Sequence, residues 1–328
     1  MPLVVSNWVE VATPPALRRS WRHLASPGRW PAMQDVLGHE RARRFGEGAK
    51  YTARLWVSGS SRHRFMGQLA VLPEWSALFE NDPAHYFIPL RSYLDRRWGV
   101  GRRFEACAQD LAAAQATFGP ARSAALRCGQ PVLLCGTSDF SIHLGKNTIC
   151  CHEGFWALTL SDAQGQALFN LSFGFLGSDR VLIASIQGVQ KASESAQDTI
   201  RTLTKRAHGL RPQAMLLNVF QMLCQQWSVR QVLAIDPEHQ IKYRKRSGGK
   251  GFTFDYRALW EDAGGARQPD GYWLLPNALQ ERQPSEIPSH KRAMYARRYG
   301  LRNHLAEQMR LQWTPGGLPD AEQANPVP

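Results

Sequence analysis

The sequence predicts an α+β protein: a helical N-terminal region, a mainly antiparallel sheet interleaved with helices, and a long C-terminal helix. Three observations carry this. Up to about residue 120, apolar residues recur at helical spacing. From Pro131 the period falls to nearly two, with turn residues between the apolar runs. After Ser289 a helical pattern returns and reaches about Trp313. The expected division is residues 1–125 as the helical region, 126–313 as the α+β core with its C-terminal helix, and 314–328 as a Pro- and Gly-rich disordered tail.

Each element has its own reason. Pro14-Pro15 opens a short helix with Leu17, Trp21 and Leu24 on one face. Residues 33–48 and 62–80 read as further helices, crowded with Arg41, Arg43, Arg44, Lys50, Arg54, Arg62 and Arg64. Phe104–Phe118 is Ala-rich with an apolar stripe, and Gly119-Pro120 ends it. Strands are expected at Val132–Cys135, Phe140–Leu144, Gly154–Leu160, Ala167–Phe175 and Val181–Val189. The turns between them make consecutive hairpins, hence an antiparallel meander. Ser195–Ala207 reads as a helix. Gln213–Trp227 follows behind Pro212 with no charged residue, the mark of a buried central helix. Arg230–Ile235 and Gly271–Leu275 are strands flanking a helix over Phe254–Ala263.

Composition narrows the function classes. The 328 residues are 43% hydrophobic and 20% charged, so the chain is globular and able to bury a large core. Forty Lys and Arg against 27 Asp and Glu leave a formal net charge of +13. That favours anionic partners: a phosphorylated small molecule, a lipid headgroup or nucleic acid. No apolar run approaches the ~18 residues of a membrane-spanning helix, and the N-terminus lacks the pattern of a secretory signal. The expected location is cytoplasmic, with peripheral attachment to the inner membrane as an extension. The six cysteines show no CxxC spacing. Cys150-Cys151-His152 would need two more ligands at short spacing to hold a metal, so no metal is expected.

Three clusters carry candidate chemistry. In the stretch 204–212, Lys205, Arg206, His208, Gly209 and Arg211 lead into the N-terminus of the buried helix. Unpaired amides, a positive dipole end, a permissive glycine and nearby cations suit a phosphate or pyrophosphate. The bland alternative is a tight inter-helix turn with solvated cations. The loop 238–254 carries Lys242, Arg244, Lys245, Arg246 and Lys250 with no acidic residue after His239. It could close over an anion or simply be a solvated loop. In the C-terminal helix, Lys291, Arg292 and Arg298 form a cationic group. Arg298 falls on the apolar face between Met294 and Leu301. A cation facing the core needs a carboxylate, backbone carbonyls or an anionic ligand, with Glu153, Glu194, Glu261 and Asp236 as candidate partners. The motifs GxSxG, HExxH and GxxxxGK[ST] are absent from the sequence.

The runs VLIASIQGVQ (181–190), TKRAHGLRPQAMLL (204–217) and HKRAMYARRY (290–299) resemble the VirK/YbjX family of bacterial proteins, over about residues 30–313 and most closely from Phe155 to Tyr299. The resemblance implies a Gram-negative bacterial protein. Some relatives are linked to virulence, stress responses, envelope or lipid A homeostasis, and resistance to host antimicrobial peptides.

The order of hairpin strands, loop, buried helix, strand, helix and strand over about 167–276 also resembles the core of the GCN5-related N-acetyltransferases. In that family an Arg/Gln-x-x-Gly-x-Gly/Ala loop at a helix N-terminus binds the pyrophosphate of coenzyme A. Here Arg206 and Gly209 match the loop, and Arg211 replaces the final small residue. Trp260 stands where that family's catalytic tyrosine would be, which leaves Tyr256 as the replacement acid. The resemblance thus implies an acetyltransferase-like core and acyl-CoA, or another phosphorylated acyl donor. Lys205, Arg206, Gly209 and Arg211 would bind the donor. Glu153, Glu194 and His208 are the candidates for general base, and amides at the end of strand 181–189 would polarise the acyl carbonyl. The competing class is a non-enzymatic regulator that binds anionic phospholipid or nucleic acid.

Overall fold

The structure, a computed structural model, describes residues 30–189, 194–243, 254–279 and 281–313, the side chains of 194–196 excepted. The helix expected behind Pro14-Pro15, most of the basic loop and the tail from residue 314 lie outside the described residues. The described part is α+β as expected, with a mostly antiparallel eight-stranded sheet and a long C-terminal helix.

The N-terminal helices are shorter and more numerous than the apolar periodicity suggests. They are α1 (Met33–Leu37), α2 (His39–Ala42), α3 (Phe45–Val57), α4 (Gly59–Ala70), α5 (Pro73–Asn81) and α6 (Phe87–Arg91). Gly38, at φ 76°, divides the helix expected over 33–48. The one expected over 62–80 breaks at Val71–Leu72, and Pro73 restarts it at a first-turn position that has no use for an N–H. Helix α7 (Val100–Arg127) continues past its expected end. Gly119, at φ 73°, does interrupt it, but Pro120 then opens a second helical segment to Arg127. The Gly-Pro pair is therefore a kink between two helical pieces rather than a stop.

The sheet follows the expected order closely. Strands β1 (Val132–Gly136), β2 (Phe140–Lys146), β3 (Trp156–Asp162), β4 (Ala167–Phe175) and β5 (Arg180–Gly188) pair antiparallel, each with the next. Two helices, α8 (Glu194–Arg206) and α9 (Pro212–Gln226), then carry the chain to β6 (Gln231–Ile235). After α10 (Tyr256–Asp262) come β7 (Ala266–Arg267) and β8 (Tyr272–Leu275), and the chain closes on α11 (Arg292–Gln312). The strand order is β1-β2-β3-β4-β5-β6-β8-β7, and β5–β6 is the parallel pair. The two-residue β7 was not expected; it is too short to show a period of two.

Both faces of the sheet centre are covered. Successive residues of β4 point to opposite faces: Phe173 packs its ring 4.7 Å from that of Phe220 on α9, while Gly174 faces Asp110 of α7 and Leu94. That explains why β4 is buried from Leu168 to Phe175 and reads as a continuous apolar run. Helix α11 lies along β1, where Leu305 and Met309 are buried and the Gln308 side-chain oxygen accepts from the Gly136 amide at 2.8 Å. Phe118 of α7 joins the layers, with ring centroids 5.1 Å from Trp156, 5.8 Å from Phe175, 5.7 Å from Trp227 and 6.1 Å from Trp313. Buried side chains from α1 to α11 form one connected cluster.

Candidate functional site

Strand β5 outruns its parallel neighbour. It pairs with β6 only from Arg180 to Ile183, yet stays paired with β4 as far as Gly188. Residues 184–188 therefore present one backbone edge that β6 does not take up. Tyr256, at the start of α10, reaches that edge and donates its hydroxyl to the Ile186 carbonyl at 2.7 Å. A residue's N–H and C=O leave a strand on the same side, so the Ile186 amide lies on this edge too. Burial, with Glu153 nearby, pushes the Tyr256 phenol well up, so it stays a neutral donor at ordinary pH.

Beside this edge lies a buried carboxylate. Glu153 is 2% exposed and sits in the single 3₁₀ turn Cys151–Glu153 before β3. One of its oxygens accepts from the Ser185 hydroxyl at 2.9 Å and from the Gln187 amide at 3.1 Å, and Lys242 approaches it at 3.7 Å. Burial raises the Glu153 pKa, and Lys242 and the two hydrogen bonds pull it only part of the way back. Gly154 fixes this placement. Its φ is 112°, and an added Cβ would fall 2.1 Å from the Phe173 carbonyl oxygen. Asn147 holds the same turn through the Cys150 and Gly154 carbonyls at 2.8 and 3.0 Å.

Glu153 ends a polar lane across one face of the sheet. The strand registers place His143, Thr159, Asn170 and Gln187 in one cross-strand row over β2 to β5. Ser172 and Ser185 pair in the next row. Thr159 donates to the Asn170 side-chain oxygen at 2.9 Å. Burial lowers the His143 pKa, which favours the neutral ring. Sequence reasoning missed this lane. Its signal was Ser, Thr, Asn, Gln and His at alternate positions of otherwise apolar strands, and only the cross-strand register turns those positions into neighbours.

The stretch 204–212 is arranged differently from a free anion cradle. His208 and Gly209 both have positive φ, 53° and 77°, and together they close α8. The amides of residues 207–210 bond the carbonyls of Leu203, Lys205, Thr204 and Ala207, at 2.8 to 3.2 Å. These N–H groups are spent on the helix cap. Arg206 forms an ion pair with Asp139 in the β1–β2 turn. Lys205, Gly209 and Arg211 are exposed, and Arg211 stands at the N-cap of α9, where its own side chain does not cap the first turn. Glu194 opens α8, and its side chain lies outside the described residues.

Arg298 is held by the protein itself. Its Nε and Nη2 donate to the His208 carbonyl at 3.3 and 3.1 Å, and its guanidinium lies 4.6 Å from the centre of the Tyr295 ring. Of the partner classes expected for it, backbone carbonyl is the one found. Lys291 and Arg292 are exposed, with Arg292 bonding the Ile287 carbonyl at 3.2 Å. Asp236 is fully buried and engaged by Arg257, at 3.0 and 3.2 Å. Trp260 is a core residue whose indole N–H donates to the Ile235 carbonyl at 3.2 Å. The structure thus brings Glu153 and Tyr256 to one place at β5, and gathers His208, Gly209, Arg211 and Arg298 around the α8–α9 turn. His152 bonds the Ser92 carbonyl at 2.8 Å, and burial pushes the Cys150 and Cys151 thiols up. Among the described residues no three His, Cys, Asp or Glu side chains are grouped to hold a metal. Nor is any described helix long and apolar enough to cross a membrane.

Residues 40–311 match the model of a family described as "Protein of unknown function (DUF535)". An uncharacterized protein of Haemophilus influenzae is 30% identical over 261 residues, 79% of this chain and 88% of that protein. Escherichia coli YbjX, also called uncharacterized, is 28% identical over 178 residues, 52% of this chain and 53% of that one. A Mannheimia haemolytica protein named "Membrane protein LapB" is 26% identical over 219 residues, 65% of this chain and 94% of that one. No solved structure matches the chain.

Proposed function

The chain belongs to the DUF535 family, and on that premise we propose that it transfers an acyl group from acyl-CoA, or another phosphorylated acyl carrier, to an amine or hydroxyl acceptor. The observation that carries this reading is the buried Glu153 carboxylate beside the stretch of β5 that β6 does not pair, where Tyr256 meets the Ile186 carbonyl. A raised carboxylate pKa is what a general base working near neutral pH needs. In this mechanism Glu153 takes the acceptor's proton as its lone pair attacks the acyl carbonyl, and the Ile186 amide stabilises the oxyanion. As the acyl–sulfur bond breaks, Tyr256 gives its proton to the leaving thiolate, and solvent returns the proton from Glu153 to Tyr256. The polar lane through Asn170 and Thr159 would receive the acceptor. Arg211 and the first turn of α9 would hold the donor's phosphates, because the amides of residues 207–210 are already used.

A matching parallel pair, β5 and β6, joined through a buried helix supports the acetyltransferase-like reading of the core. The name of the Mannheimia haemolytica relative, a membrane protein, supports an acceptor at the bacterial envelope. Roles in lipid A homeostasis, stress response and antimicrobial-peptide resistance would follow from such an acceptor, with the protein working from the cytoplasmic side of the inner membrane. The spent amides, with Lys205, Arg211, Lys291 and Arg292 exposed, favour a second reading, a non-enzymatic binder of anionic phospholipid or nucleic acid through exposed cations.

The test measures thiol release from acetyl-CoA and long-chain acyl-CoA, alongside thermal stabilisation by each donor. Glu153→Gln should lose roughly 10²- to 10⁴-fold in turnover and keep the donor-induced shift. Arg211→Ala should lose the shift. Absence of any donor-induced shift in the wild type, with binding to anions that collapses in salt, would replace acyl transfer by the second reading.

A further inference from the structure

Helix α3 is amphipathic in the wrong sense for a surface helix. Its packed side is set by Tyr51, which is 1% exposed, accepts a hydrogen bond from the Trp30 indole at 2.9 Å and stacks on Phe87. At 100° per residue, Phe45, Ala49, Ala53 and Trp56 fall within an arc of about 80° on the side opposite Tyr51. Such an outward face is ordinarily polar. Here it carries two aromatic rings, Phe45 at 91% and Trp56 at 86% exposure, about 16 Å apart along the axis. Val57, 65% exposed, extends the end of the stripe. No charged side chain lies within that arc.

The flanks are strongly basic. From residue 40 to 64 the chain holds seven Arg and Lys against Glu40 and Glu47. Glu47 is already engaged by Arg41 at 2.8 Å and Lys50 at 3.4 Å. Arg43, Arg44, Lys50 and Arg64 are exposed.

We propose that α3 docks on an anionic lipid surface, laying Phe45 and Trp56 into the headgroup boundary with Arg43, Arg44 and Lys50 on the phosphates. An apolar stripe with aromatic ends and a cationic rim is the chemistry of an interfacial helix. The rim charge favours a membrane over a neutral protein groove. This attachment is independent of acyl transfer: it needs none of Glu153, Tyr256 or Arg211.

The experiment is flotation of the full chain with phosphatidylcholine vesicles, with and without phosphatidylglycerol, at low and physiological salt. The wild type should float with the anionic vesicles only, less so at higher salt. The double variant Phe45→Ser/Trp56→Ser should partition at least about tenfold less; both residues are so exposed that its melting temperature should not fall. Arg43→Glu/Arg44→Glu should lose binding as well. Leu311→Ser, an exposed apolar residue on α11, should float like the wild type. Glu153→Gln should also float like the wild type, which separates this surface from the acyl-transfer site. The proposal is overturned if the wild type ignores anionic vesicles, or if the Phe45/Trp56 variant floats equally well. It is also overturned if the wild type self-associates through this face and the variant disperses it, since the partner would then be a second copy of the chain.

Discussion

At the scale of single residues, Asp110 differs from the other buried carboxylates, Asp95, Asp236 and Glu153, each of which has a cation beside it. Asp110 of α7 is fully buried, and among the described residues its hydrogen-bond partners are neutral. It accepts from Tyr93, from the Trp156 indole at 2.9 Å and from the Phe175 amide at 2.8 Å. Burial pushes its pKa up to about 7 against those hydrogen bonds. The folded value lies above the unfolded one, so the folded chain binds the extra proton. The stabilisation is complete at pH below about 4 and is lost as pH rises to about 7. Asparagine keeps the acceptor for Trp156 and Phe175 and cannot ionise. In urea titrations the wild type should therefore lose stability relative to Asp110→Asn by up to about 1.4 kcal/mol per pH unit between pH ~5 and ~7. Equal pH slopes for the two proteins would show that Asp110 does not titrate in this range. Neither this carboxylate nor Glu153 stood out in the sequence as buried: an acidic residue in an Ala-rich helix or a short turn reads as surface until its neighbours across the sheet are known.

Among the elements, the meander and the buried helix were readable because their signals are local. A period of two, turn residues at the right spacing and an uncharged helix behind Pro212 need no distant contact to interpret. Gly119-Pro120 was ambiguous for a physical reason. The same pair stops one helix and starts another, and the choice is made by the packing of residues 120–127, not by the pair. The α8–α9 turn shows the same limit. Its glycine and cations fit an anion loop, but a helix C-cap uses the same amides, and the cap formed. Arg298 then completes that cap by bonding the His208 carbonyl from α11. Replacing it by methionine should cost about 1–2 kcal/mol of stability, read by denaturant titration. Donor binding should be unchanged if the contact is purely structural. A loss of donor affinity at unchanged stability would instead make Arg298 a ligand contact.

On the scale of the whole molecule, the sequence divides near residue 125 by its periodicity, while the packing runs across that line. Phe118 belongs to the helical region by pattern, yet its ring meets Trp156 and Phe175 of the sheet, Trp227 after α9 and Trp313 after α11. A boundary read from period alone cannot see such a contact, because it links residues nearly 200 positions apart in the chain. If the shared core couples the helices to the sheet, the described regions should unfold together. Far-ultraviolet circular dichroism and tryptophan fluorescence should then give coincident transitions in urea. Phe118→Ala, which removes a large buried ring, should lower stability by about 3–5 kcal/mol and shift both signals by the same amount. The opposite result would be two separated transitions, with Phe118→Ala moving only the one reported by the N-terminal helices. The helical region would then be a domain in its own right, and the acyl-transfer site and the lipid-facing helix would sit on parts of the chain that fold independently.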